Sequence, residues 1–242
     1  MPKSRTAGVA LPAGFDVASY DRVNEQAAVL ANPNDASAPW KQDSWFGYAA
    51  AWNGFAIRLR AAIEYDAEFA RLISVSTAPE QEVRYEQERA LFGCVVSAYS
   101  SLECFYMASY CLGTVLSRWH FPLQREQDLN KYPSHVANSY IKWLPADSFS
   151  RLLKDTAHCI EFDALSNFRN SLAHRGVLPR KVFLSSVNDT PSAVPSNPKA
   201  LAQNFDYTAA LSGATTSVHV RWLNLTTSHL TSALGNFLAS RL

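Results

Sequence analysis

Leu91-Phe-Gly-Cys-Val-Val-Ser-Ala-Tyr-Ser-Ser-Leu-Glu-Cys-Phe-Tyr-Met-Ala-Ser-Tyr-Cys-Leu-Gly-Thr-Val-Leu116 is apolar or small at nearly every position, and Glu103 is its one charged residue. A run of this length and character reads as a helix buried around most of its circumference. The turns before it carry Glu80, Glu82, Arg84, Glu86, Glu88 and Arg89, which make a solvated face at the start of the same helix. Thr77-Ala-Pro-Glu80 supplies a helix start, with Thr77 as N-cap and Pro79 and Glu80 in the first turn. The helix is predicted to run to about Arg118. A lone carboxylate in such a core helix needs a partner, because an isolated buried charge costs several kcal/mol or neutralises.

Working outward, Trp45, Tyr48, Trp52, Phe55, Leu59, Ile63 and Phe69 recur near helical spacing and predict an amphipathic helix over Ser44–Ser74, interrupted only by Gly54. Residues 1–40 hold Pro2, Pro12, Pro33 and Pro39 and read as an irregular arm with one short helix near Val17–Leu30. Downstream, Pro122, Pro133 and Pro145 divide the chain into a loop and two short helices, Ser134–Trp143 and Asp147–Thr156, the second with Asp147 as N-cap. Phe162, Leu165, Phe168 and Leu172 define a helix from Ile160 to about Arg175, which Gly176 and Pro179 stop.

Residues 177–217 read as an insertion: a short strand at Lys181-Val-Phe-Leu-Ser185, a long loop over Ser185–Pro198, and Val218-His-Val-Arg-Trp222 as a partner strand or a helix start. A helix over Leu223–Ser240 closes the chain. The predicted fold class is therefore all-α: a helical bundle over residues 41–242, with a long irregular or small β-hairpin insertion before the C-terminal helix.

Composition narrows the function. With 242 residues, 48% of them hydrophobic, the chain fills a sizeable core, which excludes disorder throughout. Lys and Arg number 22 against 21 Asp and Glu, so the net charge of +1 excludes a generally basic nucleic-acid binder, and any RNA site must be local. No unbroken apolar run reaches the roughly 20 residues of a membrane span, and the N-terminus lacks the apolar region of a secretion signal. A cytoplasmic protein without membrane partners is the expectation. Cys94, Cys104, Cys111 and Cys159 have neither disulfide-framework nor zinc spacing, even with His120 and His158 considered, so no metal or cofactor is expected. Walker A, dinucleotide-binding and G-x-S-x-G patterns do not occur in the chain.

The chemistry-bearing segment is Phe168-Arg169-Asn170-Ser171-Leu172-Ala173-His174-Arg175-Gly176. Asn170 and His174 lie one helical turn apart on a shared face. Arg169 precedes His174 by five positions, about 140° round an ideal helix, yet its long side chain can swing back toward the imidazole. A guanidinium grips phosphate through paired charge-assisted hydrogen bonds, and an imidazole gives or takes a proton near neutral pH. The pair suits phosphodiester cleavage.

Arg-Asn-x-x-x-His at the end of a helix, beside a core helix with the lone acid of Ser100-Ser-Leu-Glu103, resembles the HEPN superfamily, whose hallmark is Arg followed four to six residues later by His. The resemblance covers about Leu91–Arg175 and the terminal helix, and leaves residues 1–40 and 177–215 without a counterpart. It implies an α-helical homodimer with two facing motifs and, in many members, a metal-independent endoribonuclease serving as toxin, antiviral effector or RNA-processing enzyme. RNA would be the substrate, and an antitoxin or other regulatory partner would be in keeping with such a role.

Carried over residue by residue, the resemblance makes Arg169 and His174 catalytic. The RNA 2′-hydroxyl would attack its own phosphorus, with His174 as general base or acid and Arg169 stabilising the charge of the transition state. Asn170 would orient the phosphate or the imidazole, and Glu103 would hold Arg169 or fix the His174 tautomer. Arg175, Arg180 and Lys181 follow with no intervening acid and would extend a phosphate track. A second reading explains the same residues without chemistry. Cations in a last helical turn are favoured by the helix dipole, and Glu103, Arg169 and His174 would then form a buried polar cluster in a non-catalytic dimerisation or binding module.

Overall fold

The computed structural model describes residues 12, 15–35, 37–75, 81–123, 132–174 and 211–242, with His174 entering by its backbone. The Thr77 cap with Pro79 and Glu80, the Arg175, Arg180 and Lys181 track, the Gly176 and Pro179 stop, the strand at Lys181–Ser185 and the Ser185–Pro198 loop lie outside the described residues.

Among the described residues there are seven helices and no strand: α1 (Val17–Ala31), α2 (Pro39–Val75), α3 (Gln81–Leu116), α4 (Pro133–Trp143), α5 (Ser148–Ala157), α6 (Ile160–His174) and α7 (Ala214–Ala239). The chain is all-α. Local chemistry accounts for many of the ends. The Asp16 carboxylate accepts from the Ser19 amide at 3.0 Å to start α1. Asn32 ends it in the left-handed region at φ 39°, where Asn is better tolerated than most residues, and its amide donates to the Ala28 carbonyl. The Asp147 carboxylate accepts from the amides of Phe149 at 2.9 Å and Ser150 at 3.3 Å, as its sequence position predicts.

Two boundaries differ from the sequence reading. α2 begins at Pro39 rather than Ser44, because proline fits the first helical turn, where its missing N–H is no loss. α7 begins at Ala214 rather than near Leu223, so of the two readings of Val218–Trp222, strand or helix start, the helical one holds. The α7 face turned inward carries Thr216, His219, Thr227 and Thr231 among Val220, Leu223, Leu230 and Leu234, all buried. Its helical period is therefore hidden from any count restricted to apolar residues.

The described residues of the chain form two compact units. Unit 1 takes the described residues of Met1–Arg60, Ser100–His158 and Leu223–Leu242. Its core is aromatic: Trp52 stacks on Tyr20 at 4.7 Å between ring centres and on Tyr48 at 5.8 Å, and it meets Phe55 and Phe105. A second cluster joins Tyr110, Phe121, Tyr140, Trp143, Phe149 and Phe237. Two of the buried phenols are satisfied by main-chain carbonyls across the unit, Tyr106 donating to Leu153 at 2.7 Å and Tyr140 to Ser109 at 2.7 Å. Each such bond removes the penalty of a buried hydroxyl and ties one segment to another.

Within unit 1, Gly54 is not a break in α2 but a close-approach point. A Cβ there would stand 3.2 Å from the Cys104 sulfur, and one at Gly47 would stand 2.9 Å from the Cys111 sulfur. Two glycines seven apart thus face two cysteines seven apart on an antiparallel partner, and both thiols are free. Gly113 has a similar role against the Phe121 ring, where an added Cβ would lie 2.7 Å away. Phe121 is fully buried among Tyr110, Tyr140 and Trp143 and cannot yield. Gly113→Ala should therefore destabilise the protein by about 1–3 kcal/mol, read as a fall in the thermal unfolding midpoint; an unchanged midpoint would show that the ring has room to shift.

Unit 2 takes the described residues of Ala61–Tyr99 and Cys159–Trp222. Phe69, Leu72, Leu91, Cys94, Val95, Ala98, Phe162, Leu165, Phe168, Leu172 and Val220 are among its buried apolar residues. Gln87, set in the polar stretch expected to be solvated, is fully buried and donates its amide N–H to the Leu72 carbonyl at 2.9 Å. Its position one turn after Val83 and one turn before Leu91 places it on the apolar face. From residue 81 to 89 the other side chains are exposed or half-buried, and Arg89 reaches Glu68 at 2.9 Å across the surface.

α3 is long and apolar enough by composition to cross a membrane, a property that counting unbroken apolar runs misses. Of its most apolar window, 56% is buried inside the protein.

Candidate active site

The four α6 positions named from the sequence, Phe162, Leu165, Phe168 and Leu172, are all buried along one stripe, and the opposite side of the helix is left open. Arg169 and Asn170 fall at the edge of that open side, half-buried and exposed respectively. The Arg169 guanidinium lies over the Tyr99 ring, 5.4 Å from its centre. It donates one N–H to the Asn170 side-chain oxygen at 2.9 Å. Tyr99 is itself braced by Phe162 at 5.6 Å.

This arrangement differs in part from the sequence reading. Asn170 was assigned to the phosphate or the imidazole, and here its oxygen accepts from Arg169. The effect is to hold the guanidinium over an aromatic face, with the Asn170 oxygen as its side-chain acceptor. Stacking and a single side-chain bond restrict the long Arg side chain without using up its five donors, so less entropy is lost when it grips an anion. From Ala164 to His174 α6 carries no carboxylate, its acids Glu161 and Asp163 lying in the first turn. A phosphate at Arg169 would meet no like charge from the last part of its own helix.

His174 is the last residue of α6, five positions beyond Arg169 and one turn beyond Asn170. Glu103 is half-buried on α3, one turn beyond Tyr99, and belongs to unit 1, whereas Arg169, Asn170 and Tyr99 belong to unit 2. The expectation that Glu103 would hold Arg169 or fix the His174 tautomer gave Tyr99 no role. Tyr99 is almost wholly buried, but its ring is what carries the guanidinium.

A further histidine of unit 2, His219, is buried against Phe168 with ring centres 5.7 Å apart. Burial pushes its pKa down to about 4, so it is neutral near pH 7 and is not the protonated partner a phosphate would choose. The unfolded chain takes up this proton near pH 6.5 while the folded one resists until about 4. Stability from this group is complete above pH 6.5 and is lost as pH falls through the window toward 4. Between pH 7 and 5 the loss should be about 2 kcal/mol. Denaturant unfolding at the two pH values checks this, and His219→Leu should remove that share of the difference.

No group of three or more His, Cys, Asp or Glu side chains suited to a metal occurs among the described residues. No family model, curated protein or solved structure matches the chain.

Proposed function

We propose that the chain is a metal-independent endoribonuclease of the HEPN type, acting as a toxin or antiviral-defence effector on RNA. The observation that carries this reading is Arg169, laid on Tyr99 and tied to Asn170 at an accessible edge of α6, five residues before the helix-ending His174. In the reaction, the 2′-hydroxyl loses its proton to an imidazole as its oxygen attacks the adjacent phosphorus. The Arg169 guanidinium and the Asn170 amide meet the extra negative charge on the phosphoryl oxygens. The 5′-oxygen leaves and takes a proton, and the upstream fragment ends in a 2′,3′-cyclic phosphate. Base and acid are separate tasks, and a two-fold homodimer facing its two motifs would supply His174 once for each.

The chemistry requires the 2′-hydroxyl. An RNA carrying one 2′-deoxy residue at the cleaved position should be resistant there while neighbouring ribonucleotides are still cut. Cleavage at the deoxy position would show that an outside nucleophile attacks and would remove this mechanism.

A non-catalytic binding or dimerisation module is the second reading, favoured by the contact of Arg169 with the core residue Tyr99. Its buried polar cluster fits poorly with an Arg169 that is half-exposed and an Asn170 that is exposed.

A further inference from the structure

The turn after α3, in unit 1, has an unusual surface. Trp119 is 95% exposed, although an indole is among the costliest side chains to leave in water. The turn beneath it is firm. The Ser117 amide donates to Gly113 at 2.7 Å, the amides of His120 and Phe121 both donate to the Ser117 carbonyl at 3.1 Å, and Phe121 plugs the core. The Ser117 hydroxyl holds His120 Nδ1 at 2.8 Å, and the His120 ring stacks on Trp143 at 5.9 Å. On the other side Arg118 lies over Trp40 at 5.5 Å.

Three indoles, a guanidinium and an imidazole therefore gather round a turn that is already ordered. The described stretches 104–123 and 132–146 contain Arg118 and Lys142, together with His120 and His135, and no carboxylate. Lys41 and Asp43 beside Trp40 offset one another. Arg118, Trp119 and His120 are all exposed.

We infer that this turn is a stacking site for single-stranded RNA, with a base on the Trp119 indole and the adjoining phosphates met by Arg118. Base stacking needs one accessible π-face beside a cation and is indifferent to sequence. A protein partner would need a contiguous apolar patch, and the residues on either side of Trp119 are cationic or polar. The ring does not read the sugar, so the choice of RNA over DNA rests on the ribonuclease reading.

The test is fluorescence anisotropy of a labelled 2′-O-methyl single strand, which cannot be cut, with the full chain in EDTA. Trp119→Ala should weaken binding about tenfold, Trp119→Phe should retain most of it, and the base-paired form of the same strand should bind the wild type no better than Trp119→Ala binds the single strand. Equal binding by wild type and Trp119→Ala overturns the inference, as does equal binding of single and double strands. A change in oligomeric mass in Trp119→Ala also overturns it, since the turn would then be a contact between copies. A protein that binds the uncleavable strand through Trp119 but cuts no RNA leaves this site standing and removes the ribonuclease reading. One that cuts RNA but binds independently of Trp119 does the reverse.

Discussion

Arg169→Gln should lower RNA cleavage by about 10²–10³-fold, the scale on which removing one preorganised donor to a developing oxyanion is felt. Its effect on stability should be far smaller. The guanidinium is half-exposed, and what it gives the fold is a stack on Tyr99 and one surface hydrogen bond to Asn170, together worth about 0.5–1 kcal/mol at such a site. Arg169→Lys keeps the charge but loses the planar fork and the stack, so it should recover only a small part of the rate. Cleavage rate and thermal midpoint measured on the same preparations separate the two readings. If Arg169 served only packing, as in a buried polar cluster, its removal would cost about 3–5 kcal/mol and there would be no rate to lose.

The largest stability effect should come from Trp52→Ala. Trp52 is 1% exposed and meets Tyr20, Tyr48, Phe55 and Phe105, so truncation leaves a cavity walled by four rings and should cost about 3–5 kcal/mol. Its indole N–H and the Tyr48 hydroxyl are both buried without a protein hydrogen-bond partner, which offsets part of what the ring contributes. Trp52→Phe removes that N–H and keeps an aromatic ring in the stack, so it should cost less than about 1.5 kcal/mol. Denaturant midpoints of the two variants check the difference; equal losses would show that a phenyl ring cannot hold the stack that the indole makes.

What the sequence revealed, and what it hid, follows from the physics of each signal. α5 was legible because a single residue, Asp147, both ends the preceding turn and caps the helix. α6 was legible because Phe162, Leu165, Phe168 and Leu172 repeat at helical spacing. The start of α7 was hidden because its buried face is built from threonines and His219, and because the alternation Val218, Val220, Trp222 imitates a strand. Gly54 looked like an interruption, whereas its missing side chain admits the Cys104 sulfur. That is a tertiary fact with no local trace. At the candidate site, spacing singled out Arg169, Asn170 and His174, but could not show that Asn170 binds Arg169 or that the guanidinium lies over Tyr99. A buried aromatic at helical spacing looks the same whether it packs only against the core or also supports a cation.

The measurement that bears most directly on the proposed activity is incubation of wild type and His174→Ala with a mixed RNA pool in EDTA, followed by identification of the new ends. The expected result is cleavage by the wild type with 2′,3′-cyclic phosphate ends, and a rate at least about a hundredfold lower for His174→Ala at an unchanged unfolding midpoint. The account is contradicted by a folded wild-type protein that cuts nothing at any concentration, or by His174→Ala cutting as fast as wild type.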